Sequence, residues 1–402
     1  IYGIFNGELA YNAANKKEEI LMKRTMKKMV SMALTGTMAV AVLAGAGTSE
    51  VKAADKAKIG VLVADVSGEE AQGFRSYYEN YIAGNYDVEF NYTDALQSAE
   101  DEKTAIEKFA SQGCQAIISF SSNDRVQQIE TCEKYGVYYA VASGVLDDAQ
   151  YETYKTYEYF AGQVGPGNDT EFEAGKDMGA YYKEQGVSKV AIYGAFIPNP
   201  MHVYRVAGVL NGLGCTYGGE SDMNAIAGQI FQDQTVDLSK VEGDVEVVSY
   251  LQGYGDTTTD ELNAAIQKTP DAFISVGMAT TFFAQSLSEA GISFSDIDSF
   301  TETNGNSMKN GTLTYLAGKY SSSIGPVFAL VMNAINGNVI RDEDGNAPSI
   351  SQGYLVATDS DTFDKYSVSD SGDAPIYDKE TLDSIIGDNV TFEDVKTLVE
   401  SK

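Results

Sequence analysis

The residues of this sequence best suited to chemistry stand in short polar segments, most of them directly after an apolar run. Ser67, Glu69 and Glu70 follow Lys58-Ile-Gly-Val-Leu-Val-Ala64, with Phe74 one helical turn further on. Ser122 and Asn123 follow Ala116–Phe120, and Ser143 follows Tyr138–Ala142. Phe196, Asn199, His202 and Arg205 come after Val190-Ala-Ile-Tyr193, Tyr254 and Asp256 after Val245–Tyr250, and Met278 after Ala272–Val276. Glu302 and Asn304 complete the set. Carboxylates, amides and a guanidinium make directional and in part bidentate hydrogen bonds to hydroxyls. The rings of Phe74, Phe196 and Tyr254 offer flat faces to the C–H side of a ligand ring. Such a set suits hydrogen-bonded recognition of a small polar molecule.

It does not suit catalysis. His202 is the sole histidine, and no G-x-S-x-G, P-loop, H-E-x-x-H or C-x-x-C pattern occurs. No carboxylate spacing marks a glycosidase pair. Gly165-Pro-Gly167-Asn168 lacks the third glycine of a dinucleotide fingerprint and reads as a turn. Asp342-x-Asp344-x-Asn346 opens like a calcium loop, but Gly345 comes one position early and Gly353 stands where the bidentate Glu belongs. A solvated turn is expected there. Cys114, Cys132 and Cys215 are odd in number and lack zinc spacing. Three buried thiols are expected, with a Cys114–Cys132 bridge as the alternative. No catalytic residue, cofactor or metal is expected.

Polar segments of this kind need elements that hold them. The apolar runs are continuous rather than alternating, as in strands buried on both faces of a parallel sheet. After the acidic start Ser67-Gly-Glu-Glu70, apolar residues recur at helical spacing as Ala71, Phe74, Tyr78 and Tyr81. Further helices are expected over Ala99–Ser111, Arg125–Tyr135, Met201–Asn211, Thr259–Gln267, Thr280–Ala290 and Gly325–Asn336. Strands alternating with helices predict βαβ units. The two halves also rhyme: Gln115-Ala-Ile-Ile-Ser-Phe-Ser121 resembles Asp271-Ala-Phe-Ile-Ser-Val-Gly277, and the helices after them end at Tyr135-Gly136 and Ala290-Gly291. Two copies of one α/β unit are expected.

Charge and the first residues bound the setting. The net charge is −30; residues 1–53 hold seven Lys/Arg against four Asp/Glu, so the remainder stands near −33. That field disfavours nucleic acid and anionic membrane as partners. With 43% apolar residues, 26 Tyr and 17 Phe, the chain can fill real cores. From Met22 it reads Lys23, Arg24, Lys27, Lys28, an apolar run Met29–Gly47, and Val51-Lys52-Ala53. This is the order of a signal peptide cleaved near Ala53, and the run is too short to span a membrane comfortably. The chain beyond Ala53 is expected in the periplasm or outside the cell. Leu43-Ala-Gly-Ala46 resembles a lipobox with Ala46 in place of its cysteine, so no lipid anchor is expected there. Residues 1–21 read as translated leader, because Lys16-Lys-Glu-Glu19 can be encoded by a purine-rich ribosome-binding site.

From Lys58 to Ala357 the chain resembles the type I periplasmic-binding-protein family, in its branch of sugar-binding ABC-transporter receptors. The residues that carry this are the Lys58–Ala64 opening, Gln115–Asn123, Arg205-Val-Ala-Gly208 (similar to the family's Arg-x-x-Gly), Pro270–Val276, and Asn310-Gly-Thr-Leu-Thr-Tyr315 leading into Ser323-Ile-Gly325. The resemblance implies an α/β fold of two similar doubly wound parallel-sheet lobes joined by a hinge. It places the first lobe at 54–163 with 319–347, and the second at 164–318 with 348–402. It implies a monomer that closes on a sugar or sugar derivative, held by the residues named above, and delivers it to an ABC-transporter permease. Two departures touch the ligand. Ser143-Gly144 stands where pentose and hexose receptors commonly carry Asp-Arg, and Gly277-Met278 where they commonly offer Asn or Asp. A purine nucleoside is therefore the alternative ligand, and a secreted hydrolase the lesser alternative.

Overall fold

The computed structural model describes residues 56–370 and 374–402. The leader and signal expectations fall outside the described residues. The first lobe opens with strand β1 (Ala57–Leu62), helix α1 (Glu69–Ser76, continued by a π-helical stretch over Tyr77–Ile82) and β2 (Val88–Tyr92). It continues with α2 (Ala99–Ser111), β3 (Ala116–Ser119), α3 (Arg125–Tyr135), β4 (Tyr138–Ala142), α4 (Asp148–Tyr154) and β5 (Phe160–Gly165). Period-two alternation divides these strands between two cores. Val61, Ile118 and Ala140 join one apolar cluster, whereas their neighbours Leu62, Ile117 and Val141 join another on the opposite face.

The second lobe begins with α5 (Asn168–Glu184), β6 (Lys189–Tyr193), α6 (Pro200–Gly212), β7 (Thr216–Tyr217), α7 (Met223–Asp233), β8 (Val241–Glu242) and β9 (Glu246–Leu251). Then come α8 (Asp256–Gln267), β10 (Ala272–Ser275), α9 (Ala279–Ala290), β11 (Ser293–Ser299), α10 (Glu302–Lys309) and β12 (Leu313–Lys319). The chain returns to the first lobe through α11 (Gly325–Ile335) and β13 (Ser349–Ser351), and to the second through β14 (Leu355–Ala357) and α12 (Ser360–Asp370). It ends with α13 (Lys379–Asp383) and α14 (Phe392–Glu400).

The sheet orders are β13-β5-β4-β3-β1-β2 and β14-β12-β11-β10-β6-β9. Pairing is parallel in both, with β14 as the antiparallel edge of the second. The strands that rhyme in sequence, β3 and β10, occupy the same place in the two orders. The likeness extends to local bonds. Gln115 Oε1 accepts from the Lys58 amide at 3.2 Å, and Asp271 Oδ2 from the Lys189 amide at 2.9 Å, each tying the residue before one strand to the neighbouring strand. Gly136 and Gly291 close their helices in the left-handed region, at φ 68° and 67°. Two copies of one α/β unit are present.

The tail corrects one expectation. The resemblance puts residues 348–402 whole in the second lobe, but β13 pairs with β5, and Tyr377, Leu382, Ile385, Val395 and Val399 complete a core of the first. Polar pins explain why. The Tyr77 hydroxyl donates to the Tyr377 carbonyl (2.6 Å), and Asn333 on α11 bonds both the Ile385 carbonyl and the Gly387 amide (2.8 Å each). All three cysteines are buried and free, and burial raises their thiols above the ordinary range. Asp342 accepts from the Asp344 and Asn346 amides, so the acidic loop closes on itself.

Candidate functional site: the interlobe cleft

The carboxyl ends of both sheets open onto a cleft of about 1020 Å³, the position where open parallel sheets receive ligands. The first-lobe wall holds Asp65, Glu70 and Phe74 after β1, Tyr92 at the end of β2, Phe120, Ser122 and Arg125 after β3, and Ser143 and Gly144 after β4. Asn199, Pro200, Met201 and Tyr204 from the start of α6 form the facing wall, with Met223, Asn224 and Phe231 from α7. The crossovers contribute Gly167, Lys319, Ser349 and Ser351.

Of the residues nominated from sequence, Glu70, Phe74, Ser122, Ser143 and Asn199 line this cleft. Phe74 stacks on Phe120 with centroids 5.4 Å apart. Asn199 caps α6, its side chain accepting from the Met201 amide at 3.1 Å. Glu70 reaches across to the second lobe, accepting from the Ser299 hydroxyl and standing 3.6 Å from Lys319 Nζ. Glu69 accepts from the Thr303 hydroxyl at 2.7 Å and lines a separate pocket of about 200 Å³ with Glu302.

Other nominated residues are held in scaffold bonds. Ser67 donates to Asp65 (3.0 Å), fixing the turn before α1. Asn123 donates to buried Glu102 (3.0 Å), whose carboxylate also accepts from the Ser121 hydroxyl and the Asp124 amide. Asn304 is buried and donates to the Ser299 carbonyl (2.8 Å). His202 lies buried with Nδ1 3.1 Å from the Phe196 backbone. Burial, aided by the Arg205 cation, lowers its pKa to about 4, so it is neutral at ordinary pH.

Arg205 is the clearest such case. Nε bonds Glu171 Oε2 at 2.6 Å, Nη2 bonds Tyr354 Oη at 2.7 Å, and Nη1 bonds the Val276 carbonyl at 2.7 Å. The pair is buried at both ends. It exists because α5 and α6 touch backbone to backbone: a Cβ on Gly175 would come 2.0 Å from the Arg205 carbonyl oxygen, and one on Gly208 2.0 Å from that of Phe172. The Arg-x-x-Gly spacing thus serves a helix crossing, and the guanidinium is spent on the fold.

Phe196, Tyr254 and Met278 are not among the residues lining that cleft and form a patch on the loops after β6, β9 and β10. Phe196 and Tyr254 meet edge to face at 4.2 Å, Phe282 lies 4.7 Å from Tyr254, and the Tyr254 hydroxyl donates to Met278 Sδ at 3.2 Å. Phe196, Met278 and Phe282 are 47%, 40% and 45% exposed. Asp256 opens α8, and its side chain is outside the described residues. Sequence reasoning passed over Arg125, Tyr92 and the α7 contacts. One signal was available: Arg125 is the first residue of α3, where a helix dipole disfavours a cation.

No family model matches the chain, and no curated protein matches it. Solved structures do. An ABC-transporter periplasmic solute-binding protein from Actinobacillus succinogenes 130z with bound D-allose has TM-score 0.58 at 16% identity, over 77% of this chain and 100% of that one. A solute-binding protein from Bacillus halodurans C-125 with bound myo-inositol gives 0.55 at 16%, over 79% and 99%. The arabinose-transporter binding protein of Shewanella sp. ANA-3, bound to L-arabinofuranose, gives 0.54 at 16%, over 77% and 93%. This chain has the type I periplasmic-binding-protein fold.

Proposed function

We propose that this protein is an extracytoplasmic solute-binding protein that captures a sugar or sugar derivative between its lobes and presents it to an ABC-transporter permease. The observation that carries this reading is the cleft of about 1020 Å³ between two doubly wound sheets, walled by strand-end loops of both. A small ligand there touches both lobes, so binding favours the closed arrangement and turns its presence into a shape a permease can read. The solved proteins of this fold that hold D-allose, myo-inositol and arabinofuranose support a polyhydroxy ligand. The signal-like sequence from Met22 supports an extracytoplasmic site of action. The reading requires binding alone, with no chemistry on the ligand.

A purine nucleoside is the second reading, favoured by the exposed rings of Phe196 and Phe282 beside half-buried Tyr254, which suit stacking on a base. A thermal-shift screen of sugars, sugar acids and nucleosides tests both. The true ligand at a hundred to a thousand times its Kd stabilises by about 3–4 kcal/mol and raises Tm by several degrees. A screen in which neither class moves Tm rejects both readings.

A further inference from the structure

Arg125 is a cation of the cleft whose bonding is incomplete. Its bond within the protein runs from Nη1 to the Val145 carbonyl at 3.2 Å. Nε is buried with no partner among the described residues. Nη2 and Nη1 lie beside Gly144, where a Cβ would come 3.3 Å and 3.6 Å from them. Gly144 thus leaves room for this guanidinium at the mouth of β4. A cation at the first position of α3 also opposes the helix dipole, so helix stability does not explain its placement.

No carboxylate forms an ion pair with it among the described residues: buried Glu102 favours its charge through space but is bonded to Ser121, Asn123 and Asp124, and Asp148 and Asp169 on the cleft wall are exposed to solvent. Asp65 is tied to Ser67 and Gly68, Glu70 to Ser299 and Lys319, Asp147 to the Gln150 amide, and Glu171 to Arg205. On the same wall the Tyr92 hydroxyl is likewise buried without a partner among the described residues. Buried polar groups are nearly always hydrogen-bonded, and leaving one unpaired costs free energy that a bound partner recovers.

We propose that Arg125 is the ligand-orienting residue of this cleft. Its Nε and Nη2 donate to two adjacent oxygens of the ligand, with Tyr92 as a further hydrogen-bonding group. The inference rests on the binding reading above and adds what the first lobe grips: an oxygen pair that accepts in one plane. Two sources offer that chemistry, a vicinal diol of a neutral sugar and the carboxylate of a sugar acid.

The test is calorimetric titration of the full chain with matched pairs, D-galactose against D-galacturonate and D-glucose against D-glucuronate, for wild type, R125K and R125A. Expected is a 10- to 100-fold loss of affinity in R125A, with partial retention in R125K. A loss confined to the acid and weakened by salt identifies the carboxylate; a salt-insensitive loss for the neutral sugar identifies the diol. Unchanged affinity in R125A overturns the proposal. A second measurement keeps it decidable if wild type binds neither pair, a result that counts against the sugar reading alone. R125M should melt at or near the wild-type temperature, because a half-buried cation whose Nε has no partner among the described residues is removed. A marked drop in Tm would make Arg125 a structural residue and end the proposal.

Discussion

Two arginines with similar surroundings in sequence have opposite roles, and their partners decide which. Arg205 meets Glu171, Tyr354 and the Val276 carbonyl in a buried cluster, whereas Arg125 has one carbonyl and a free Nε. Removing one side of a buried pair leaves the other charge unpaired, at a cost of about 3–5 kcal/mol. Glu171→Ala should therefore lower the urea midpoint strongly. Lost affinity at unchanged stability would return Arg205 to the binding site. In sequence only the helix-start position of Arg125 set the two apart, and the partners of Arg205 left no local mark. Glu171 lies 34 residues before Arg205 and Tyr354 lies 149 after it, and long-range pairing of that kind leaves no local pattern. By contrast Asn199 and Ser122 were legible, because they closely follow strands whose apolar runs are unmistakable.

At the scale of elements, the continuous apolar runs and the repeated Gln115/Asp271 units gave the parallel sheets directly, since burial on both faces leaves few polar positions to confuse the reading. Helix α5 was not legible, because Gly175 and Gly179 interrupt its apolar face. The structure shows those glycines to be the contact with α6: a Cβ on Gly179 would come 2.4 Å from the Val209 carbonyl oxygen. Gly208→Ala must then push two backbones apart, and overpacking of this kind costs about 1–3 kcal/mol or more; differential scanning calorimetry should show a Tm several degrees lower. The tail misled for a different reason, since a chain that crosses between lobes repeatedly carries no marker of where it docks. Truncation before Tyr377 removes Tyr377, Leu382, Ile385, Val395 and Val399 from the first core. Hydrogen exchange should then accelerate in β1 and β3 and leave β6 and β10 protected. Uniform acceleration in both sheets would contradict separate cores.

Across the whole molecule, the lobes meet through a line of polar groups whose charge depends on pH. Glu70 on the first lobe faces Asp298 at the end of β11, with Lys319 and Asn304 beside it. Burial, then the Glu70 carboxylate, raises Asp298 to about 6, and burial with the Asp298 charge raises Asp296 to about 7. Asp370, which accepts from the Ser322 amide near the crossover, is raised to about 6 by burial. A carboxyl whose folded pKa exceeds its unfolded value binds its proton more tightly when folded. It therefore contributes stability that is full below about 4 and is lost as pH rises through the folded value. The depressed carboxylates, Asp65 and Asp271 among them, act in the opposite direction but only below that window. Growing self-repulsion of a chain at −30 adds to the loss. Tm should accordingly fall by about 5 °C or more between pH 5 and pH 8. Asp298→Asn, neutral at every pH and nearly isosteric, should flatten that slope, and Glu70→Gln should flatten it in part by removing the charge that faces it across the lobes. A Tm that rises over this interval, or a slope untouched by Asp298→Asn, would mean that the carboxylates at the lobe junction are ionised throughout and do not govern how firmly the lobes hold together.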